Sequence, residues 1–128
     1  PLYGHELDEN TTPLEARLAW VVKLDKGEFI GRQPLLRQKT DGVKRKLVGL
    51  EVVGSGIPRS GYALEKQNRS LGAVTSGTLS PTLRKPIAMG YVPSEEARVD
   101  NTLEIDIRGR KVAAKIIPLP FYRRSPRP

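Results

Sequence analysis

The chain has 128 residues, of which 38% are hydrophobic and 28% charged, and it carries a formal net charge of +8. That length accommodates one compact core, or one domain together with the tail of another. Cysteine is absent and His5 is the single histidine, which excludes a disulfide framework, a cysteine nucleophile and a multi-histidine metal centre. We therefore expect no metal site and a reducing, cytoplasmic setting. No apolar run approaches the roughly 20 residues needed to span a bilayer. Pro1-Leu2-Tyr3-Gly4-His5-Glu6 has neither the basic start nor the apolar stretch of a secretory signal, so no membrane association is expected.

In chain order, the first signal is Thr12-Pro13-Leu14-Glu15. Thr12 suits a helix cap, Pro13 the first helical position, and Glu15 can reach back to the cap amide, which predicts a short helix. Trp20-Val21-Val22 is aromatic and β-branched and predicts a buried extended segment. After the Asp25-Lys26-Gly27 turn, a second helix is predicted over 32–39, with Leu35 and Leu36 facing inward and Asp41-Gly42 ending it.

From Lys44 the rhythm changes to strands. The segment 46–52 alternates and is β-branched, and further strands follow at 71–78, 87–92, 103–108 and 112–118, with a weaker one at 62–66. Leu103, Ile105 and Ile107 share one face, with Glu104, Asp106 and Arg108 on the other. Arg108-Gly109-Arg110 reads as a tight hairpin turn, and Pro93-Ser94-Glu95-Glu96-Ala97 as one helical turn. The fold expected is mainly β: a small antiparallel barrel of about six strands, closed to protect its edges, preceded by a short α-containing segment. The composition shift near Gly42 marks the domain boundary, giving 1–42 and 43–128. Charge divides there too. Residues 1–42 hold six Lys/Arg and seven Asp/Glu, a net of −1; residues 43–128 hold sixteen and seven, a net of +9. This asymmetry suits an acidic protein or nucleic-acid partner, or simply a well-solvated surface with a basic tail.

Several motifs fail as catalytic signatures. Gly54-Ser55-Gly56-Ile57-Pro58-Arg59-Ser60-Gly61 has Arg59 where a dinucleotide loop needs its third glycine, and it reads as a flexible hairpin connection. Glu6, Asp8 and Glu9 beside His5 lack the second cluster a metal site needs, and read as a solvated loop or the approach to a helix. Ser76 and Ser80 lie outside any nucleophile motif. Thr75-Ser76-Gly77-Thr78 reads as a strand ending in a turn whose hydroxyls bind backbone amides. Tyr3 presents a ring with a hydrogen-bonding tip, suited to a heteroaromatic ligand. Arg123 and Arg124, following Pro120-Phe121-Tyr122, offer guanidinium groups for carboxylates or phosphates. From these residues alone, ordinary packing with an exposed polar end is the better account of the tyrosine and of the terminal arginines.

Certain words in this order carry a further signal: Leu2-Tyr3-Gly4, Thr11-Thr12-Pro13-Leu14-Glu15-Ala16, Phe29-Ile30-Gly31-Arg32, Lys46-Leu47-Val48-Gly49-Leu50, Thr75-Ser76-Gly77-Thr78, Ser80-Pro81-Thr82-Leu83, Lys85-Pro86-Ile87-Ala88, Tyr91-Val92-Pro93 and Leu119-Pro120-Phe121-Tyr122. Together they resemble the C-terminal third of the glycine cleavage system T proteins, the aminomethyltransferases. The first two words also resemble the tails of dimethylglycine and sarcosine dehydrogenases; the serine-proline-threonine run and the Pro-Phe-Tyr-Arg ending favour the T proteins. Arg17 stands where that family usually has glycine.

The resemblance implies a jelly-roll-like barrel at 43–128 and, in 1–42, the end of a central, folate-binding α+β domain. It also implies transfer of a one-carbon unit from an aminomethyl-lipoyl arm on the carrier H protein to tetrahydrofolate, with release of ammonia. The catalytic acid of that family belongs to N-terminal domains outside this sequence, so no catalytic residue is expected here and the piece alone is expected to be inactive. Tyr3, Arg123 and Arg124 are the folate-facing candidates, and the basic barrel is expected to steer the carrier. The alternative is a non-catalytic basic barrel binding folate, RNA or an acidic protein. Nucleic acid is the weaker choice, because the strands hold only Tyr62 and Tyr91 as stacking groups. A third reading is a folate-binding relative that repairs or assembles other proteins.

Overall fold

The computed structural model describes residues 1–121. Six strands form a closed antiparallel barrel: β1 (Arg45–Val52), β2 (Ala63–Lys66), β3 (Arg69–Ser80), β4 (Lys85–Pro93), β5 (Thr102–Ile107) and β6 (Arg110–Ile117). Their order around the barrel is β1-β4-β3-β2-β5-β6, so β2, β3 and β4 form a meander and β1 returns beside β4 in a Greek key. Closure leaves no free edge, which is how so short a β domain avoids edge-to-edge pairing.

Alternation in the sequence becomes inside and outside of the barrel. Val48, Leu50 and Val52 of β1 meet Leu64, Val74, Val92, Leu103, Ile105, Ile107, Val112, Ala114 and Ile116 in one buried core. On β5 the acidic residues Glu104 and Asp106 alternate with the buried Leu103, Ile105 and Ile107, as the pattern predicts. The β5–β6 hairpin turns at Arg108 and Gly109, both at positive φ, and the Gly109 amide donates to Asp106 Oδ1 at 2.7 Å. Ser80 is a turn residue: its Oγ accepts the Leu83 amide at 3.1 Å, closing the β3–β4 connection.

Helix α1 (Arg32–Asp41) agrees with the predicted second helix, and Gly42 caps it with its amide on the Gln38 carbonyl. Leu35 and Leu36 are only half-buried, and no residue of α1 is fully buried. Three expectations are corrected. The Thr12 signal forms a capping box, with the Thr12 amide on Glu15 Oε1 at 2.9 Å and the Glu15 amide on Thr12 Oγ1 at 3.3 Å. The turn it starts ends at once, because Arg17 adopts a left-handed conformation with φ of 59°. Trp20-Val21-Val22 is not a buried extended segment: Ala19–Val21 is a 3-10 turn, with Trp20 75% and Val21 56% exposed. Among the described residues no strand pairs with its backbone. Finally, residues 54–61 do not close a hairpin, since β1 and β2 are not neighbours; the segment crosses one end of the barrel, with Pro58 buried there.

Candidate functional site

The outer wall of β1, β3 and β4 is where residues 1–18 are held. A second apolar cluster of Ala16, Leu47 and Tyr91, bordered by Leu7, Leu18 and Met89, lies on that wall. Leu47 faces out of the barrel, yet it is fully buried because this cluster covers it. Polar contacts surround the cluster. The Leu47 amide donates to the Glu15 carbonyl at 3.0 Å. Arg45 sends Nε to Glu15 Oε2 at 2.6 Å and a second nitrogen to Thr11 Oγ1 at 2.9 Å, and its guanidinium lies 4.6 Å from the centroid of the Tyr91 ring. Burial pushes the Tyr91 phenol up to about 12. The phenol therefore stays protonated and donates to the Glu6 carbonyl at 2.9 Å.

Glu6 is the centre of this arrangement. It is 2% exposed, not part of a solvated loop as the carboxylate cluster suggested. Its Oε2 accepts the Leu2 amide at 2.9 Å. Its Oε1 accepts the hydroxyls of Thr75, at 2.8 Å, and of Ser76. Thr75 Oγ1 also lies 3.0 Å from the Met89 carbonyl and shares its single proton between the two acceptors. The Thr75 and Ser76 hydroxyls thus serve a side-chain carboxylate rather than the backbone amides expected of them. Consecutive strand residues ordinarily face opposite sides. Here the pairing of β3 with β4 slips between Val74 and Ser76, and this bulge turns both hydroxyls toward one carboxylate. Burial acts to raise the Glu6 pKa, but the donors from Ser76, the Leu2 amide and Thr75 outweigh it and hold the group below the usual carboxylate range.

The loop so pinned is compact. The Leu2 carbonyl faces the amides of His5, Glu6 and Leu7 at 3.1, 3.0 and 3.3 Å, and the Gly4 amide donates to the Leu7 carbonyl at 2.8 Å. Tyr3 stands at its tip, bridged to Leu7 through the backbone and 73% exposed. Beside the loop opens a cleft of about 510 Å³, lined by Pro1, Ala16, Arg17, Trp20, Met89 and Phe121 among others. Its far wall exists because Gly49 has no side chain: a Cβ there would lie 2.8 Å from Leu119 Cδ2 and 3.0 Å from Phe121 Cε1. The other two predicted site residues, Arg123 and Arg124, lie outside the described residues.

A second concavity, about 580 Å³, opens where the 54–61 segment meets the β5–β6 hairpin. Arg59, Arg108 and Arg110 line it over Ile57, Tyr62 and Ile107. Arg59 and Arg110 each donate to a backbone carbonyl, Gly77 at 3.4 Å and Ser55 at 2.9 Å. Among the described residues none of the three pairs with a carboxylate, whereas Lys66, Arg69, Lys85, Lys111 and Lys115 all do. Glu96 takes both Lys66 and Arg69, so each of those cations already has a carboxylate partner. Among the described residues no group of acidic or histidine side chains is arranged to hold a metal, and no helix is long and apolar enough to cross a membrane.

A six-stranded Greek-key barrel carrying a docked N-terminal loop defines a domain class, and comparison with known proteins narrows it. The glycine cleavage T-protein C-terminal barrel domain matches residues 45–123, and the chain belongs to that family. It is 53% identical over 125 residues to an aminomethyltransferase of Nostoc sp., covering 97% of this chain and 33% of that protein. It is likewise 53% identical to an aminomethyltransferase of Desulfitobacterium hafniense, covering 98% of this chain and 34% of the relative. The crystal structure of glycine cleavage system aminomethyltransferase T from Bartonella henselae superposes with a TM-score of 0.89 at 32% identity, over 95% of this chain and 35% of that one. The chain thus spans about a third of the length of the relatives it matches.

Proposed function

We propose that this chain is the C-terminal portion of a tetrahydrofolate-dependent aminomethyltransferase of the glycine cleavage system. The observation that carries the reading is the 53% identity to aminomethyltransferases along almost the whole chain. In the proposed reaction the carbon held between sulfur and nitrogen on a lipoyl arm passes to tetrahydrofolate, leaving methylenetetrahydrofolate, ammonia and the reduced arm. This portion supplies binding and orientation rather than an acid or base. Residues 1–42 are read as the end of the central folate-binding domain and 43–128 as the barrel domain. The preceding domains of such a protein would cover the exposed face of Trp20, Val21, Phe29 and Ile30, and on this reading the portion alone is inactive.

The residues fit a folate. The exposed ring and hydroxyl of Tyr3 suit one face and one polar edge of a pterin or aminobenzoyl group, and the adjoining cleft has the volume and apolar lining of a small-molecule site. Arg123 and Arg124, next in sequence after Phe121 and Tyr122, are proposed to close the site on the anionic end of the ligand. The arginine-lined concavity of Arg59, Arg108 and Arg110 supports docking of the acidic lipoyl carrier, the H protein, since unpaired guanidiniums recognise carboxylates and accelerate encounter. A reducing, cytoplasmic setting is part of this reading and is compatible with the lack of cysteine.

The test is to measure methylenetetrahydrofolate formation from an aminomethyl-loaded carrier by the complete polypeptide. Turnover, with folate affinity weakened by Tyr3→Ala, is expected. No turnover with that carrier sinks the reaction. For the docking surface, Arg108→Glu should slow association with the carrier and flatten its dependence on salt; rates indifferent to both would remove that concavity from the interface.

A further inference from the structure

The family reading leaves the Glu6 carboxylate without a task. It is the most buried acidic side chain described, and its surroundings are unusual for an anion. Every donor to it is neutral: one amide and two hydroxyls. Among the described residues no lysine, arginine or histidine pairs with it, in contrast to Glu15 and Glu96. An ion pair between flexible side chains tolerates several geometries. A carboxylate fixed by hydroxyls of a closed barrel tolerates fewer, because Thr75 and Ser76 belong to the longest strand of that barrel and are aimed by its bulge.

What this rigidity serves follows from the chain direction. Glu6 holds the Leu2 amide through its side chain and the Tyr91 hydroxyl through its carbonyl. Tyr3 is the residue between Leu2 and the Gly4 turn. Its own ring makes no hydrogen bond among the described residues and is 73% exposed, so nothing but the loop beneath fixes where the ring stands. We infer that Glu6 is a positioning residue: its clasp on Thr75, Ser76 and the Leu2 amide registers the Tyr3 loop against the barrel wall, so that the ring meets the folate in a fixed orientation. This rests on the reading of Tyr3 as folate-facing. It adds that the Thr75-Ser76 word acts on ligand binding at one remove, through a carboxylate 69 residues before Thr75 in the chain.

The experiment is a double-mutant cycle in the complete polypeptide, with tetrahydrofolate affinity measured by titration calorimetry and folding checked by near-ultraviolet circular dichroism. Glu6→Gln keeps the side-chain shape but turns one acceptor into a donor; it should weaken folate binding roughly ten- to a hundredfold. In a Tyr3→Ala background the same change should have no further effect, whereas a general loss of stability would weaken binding in both. Thr75→Val with Ser76→Ala removes the clasp from its other side and should reproduce the loss, which keeps the inference testable if Glu6→Gln fails to fold. A folded Glu6→Gln protein with unchanged affinity overturns it, as does an equal loss with and without Tyr3. If Tyr3→Ala itself leaves folate affinity intact, the folate reading fails first and the clasp has no ligand to serve.

Discussion

Residues 1–18 and 19–42 are adjacent in sequence and held in opposite ways. The first stretch packs Ala16, with Leu7 and Leu18 at the border, against the barrel wall, and a chain of polar contacts from Glu6, Glu15 and Tyr91 joins it to the barrel. The second contains Trp20, Val21, Phe29 and Ile30, and these side chains stand 75%, 56%, 40% and 102% exposed. Hydrophobic content therefore does not predict which stretch is docked. Directional groups on a rigid wall hold the first, while the second has apolar surface of the kind that marks an interface. The comparison also separates two roles. On the proposed reading the first stretch positions Tyr3 for binding, and the second presents a face to the preceding domains.

The comparison breaks most severely where the wall itself is altered. A Cβ on Gly72 would lie 2.1 Å from the Tyr91 carbonyl oxygen, a backbone atom with no room to retreat in a closed barrel. Gly72→Ala is expected to cost about 3 kcal/mol or more and to release residues 1–18 together with the β3–β4 contact. Urea unfolding would measure the first effect and amide hydrogen exchange of residues 2–18 the second. A variant with wild-type stability would mean that the barrel wall is softer than its geometry indicates.

Next comes the clasp. Glu6→Ala leaves two hydroxyls and an amide without their anionic acceptor and should cost about 2 kcal/mol at neutral pH. Its pH dependence has a definite sign. The folded-state pKa of Glu6 is lowered, so its contribution is fully present above the unfolded-state pKa and is lost as pH falls through the folded value. Glu15, which burial acts to raise but the Thr12 amide and Arg45 lower overall, works in the same direction. Melting temperature should therefore fall on acidification below about pH 5. The gap between wild type and Glu6→Ala should narrow over the same range. A gap independent of pH would show that the charge of Glu6 plays no part in the docking.

Much of the barrel was legible in the sequence because its signals are local. Strands β5 and β6 show period-2 alternation within a few residues, the other strands carry short apolar or β-branched runs, and the Thr12–Glu15 capping box is a pair three residues apart. The closed, mainly β architecture followed from these runs. The clasp was not legible, because Thr75 and Ser76 lie 69 and 70 residues from Glu6 and only the bulge in β3 aims both at it. Read alone, Glu6 is one acid in a run of three, and its burial has no local signature. Trp20-Val21-Val22 misled for a related reason: β propensity describes fit to a half-buried sheet and carries no information on whether a neighbouring strand is present.

Two smaller effects sharpen the contrast. Arg17 ends the capping-box turn in a Schellman arrangement, with the Leu18 amide on the Pro13 carbonyl at 2.7 Å and the Arg17 amide on the Leu14 carbonyl at 3.3 Å. The residue at that corner must be left-handed, and Arg17 is, with φ of 59°. This accounts for the glycine usual there among the resembled T proteins. Arg17→Gly relieves the left-handed strain but adds freedom to the unfolded chain, so a net gain of up to about 1 kcal/mol is expected. A loss on denaturant unfolding would mean that the Arg17 side chain, which lines the cleft, contributes more than its backbone costs.

Trp20→Ser should do least to this chain and most to the reading of its second region. An exposed side chain with no hydrogen-bond role changes stability by less than about 0.5 kcal/mol when replaced. If the preceding domains cover that face, the same substitution in the complete polypeptide removes a buried indole and should cost about 3 kcal/mol. The two measurements together locate the interface, because only a side chain that gains burial between the short and long forms can show such a difference. Equal, small losses in both would place the covering surface elsewhere. Equal, large losses would mean that Trp20 already packs within this chain, and residues 19–42 would then be held much as residues 1–18 are.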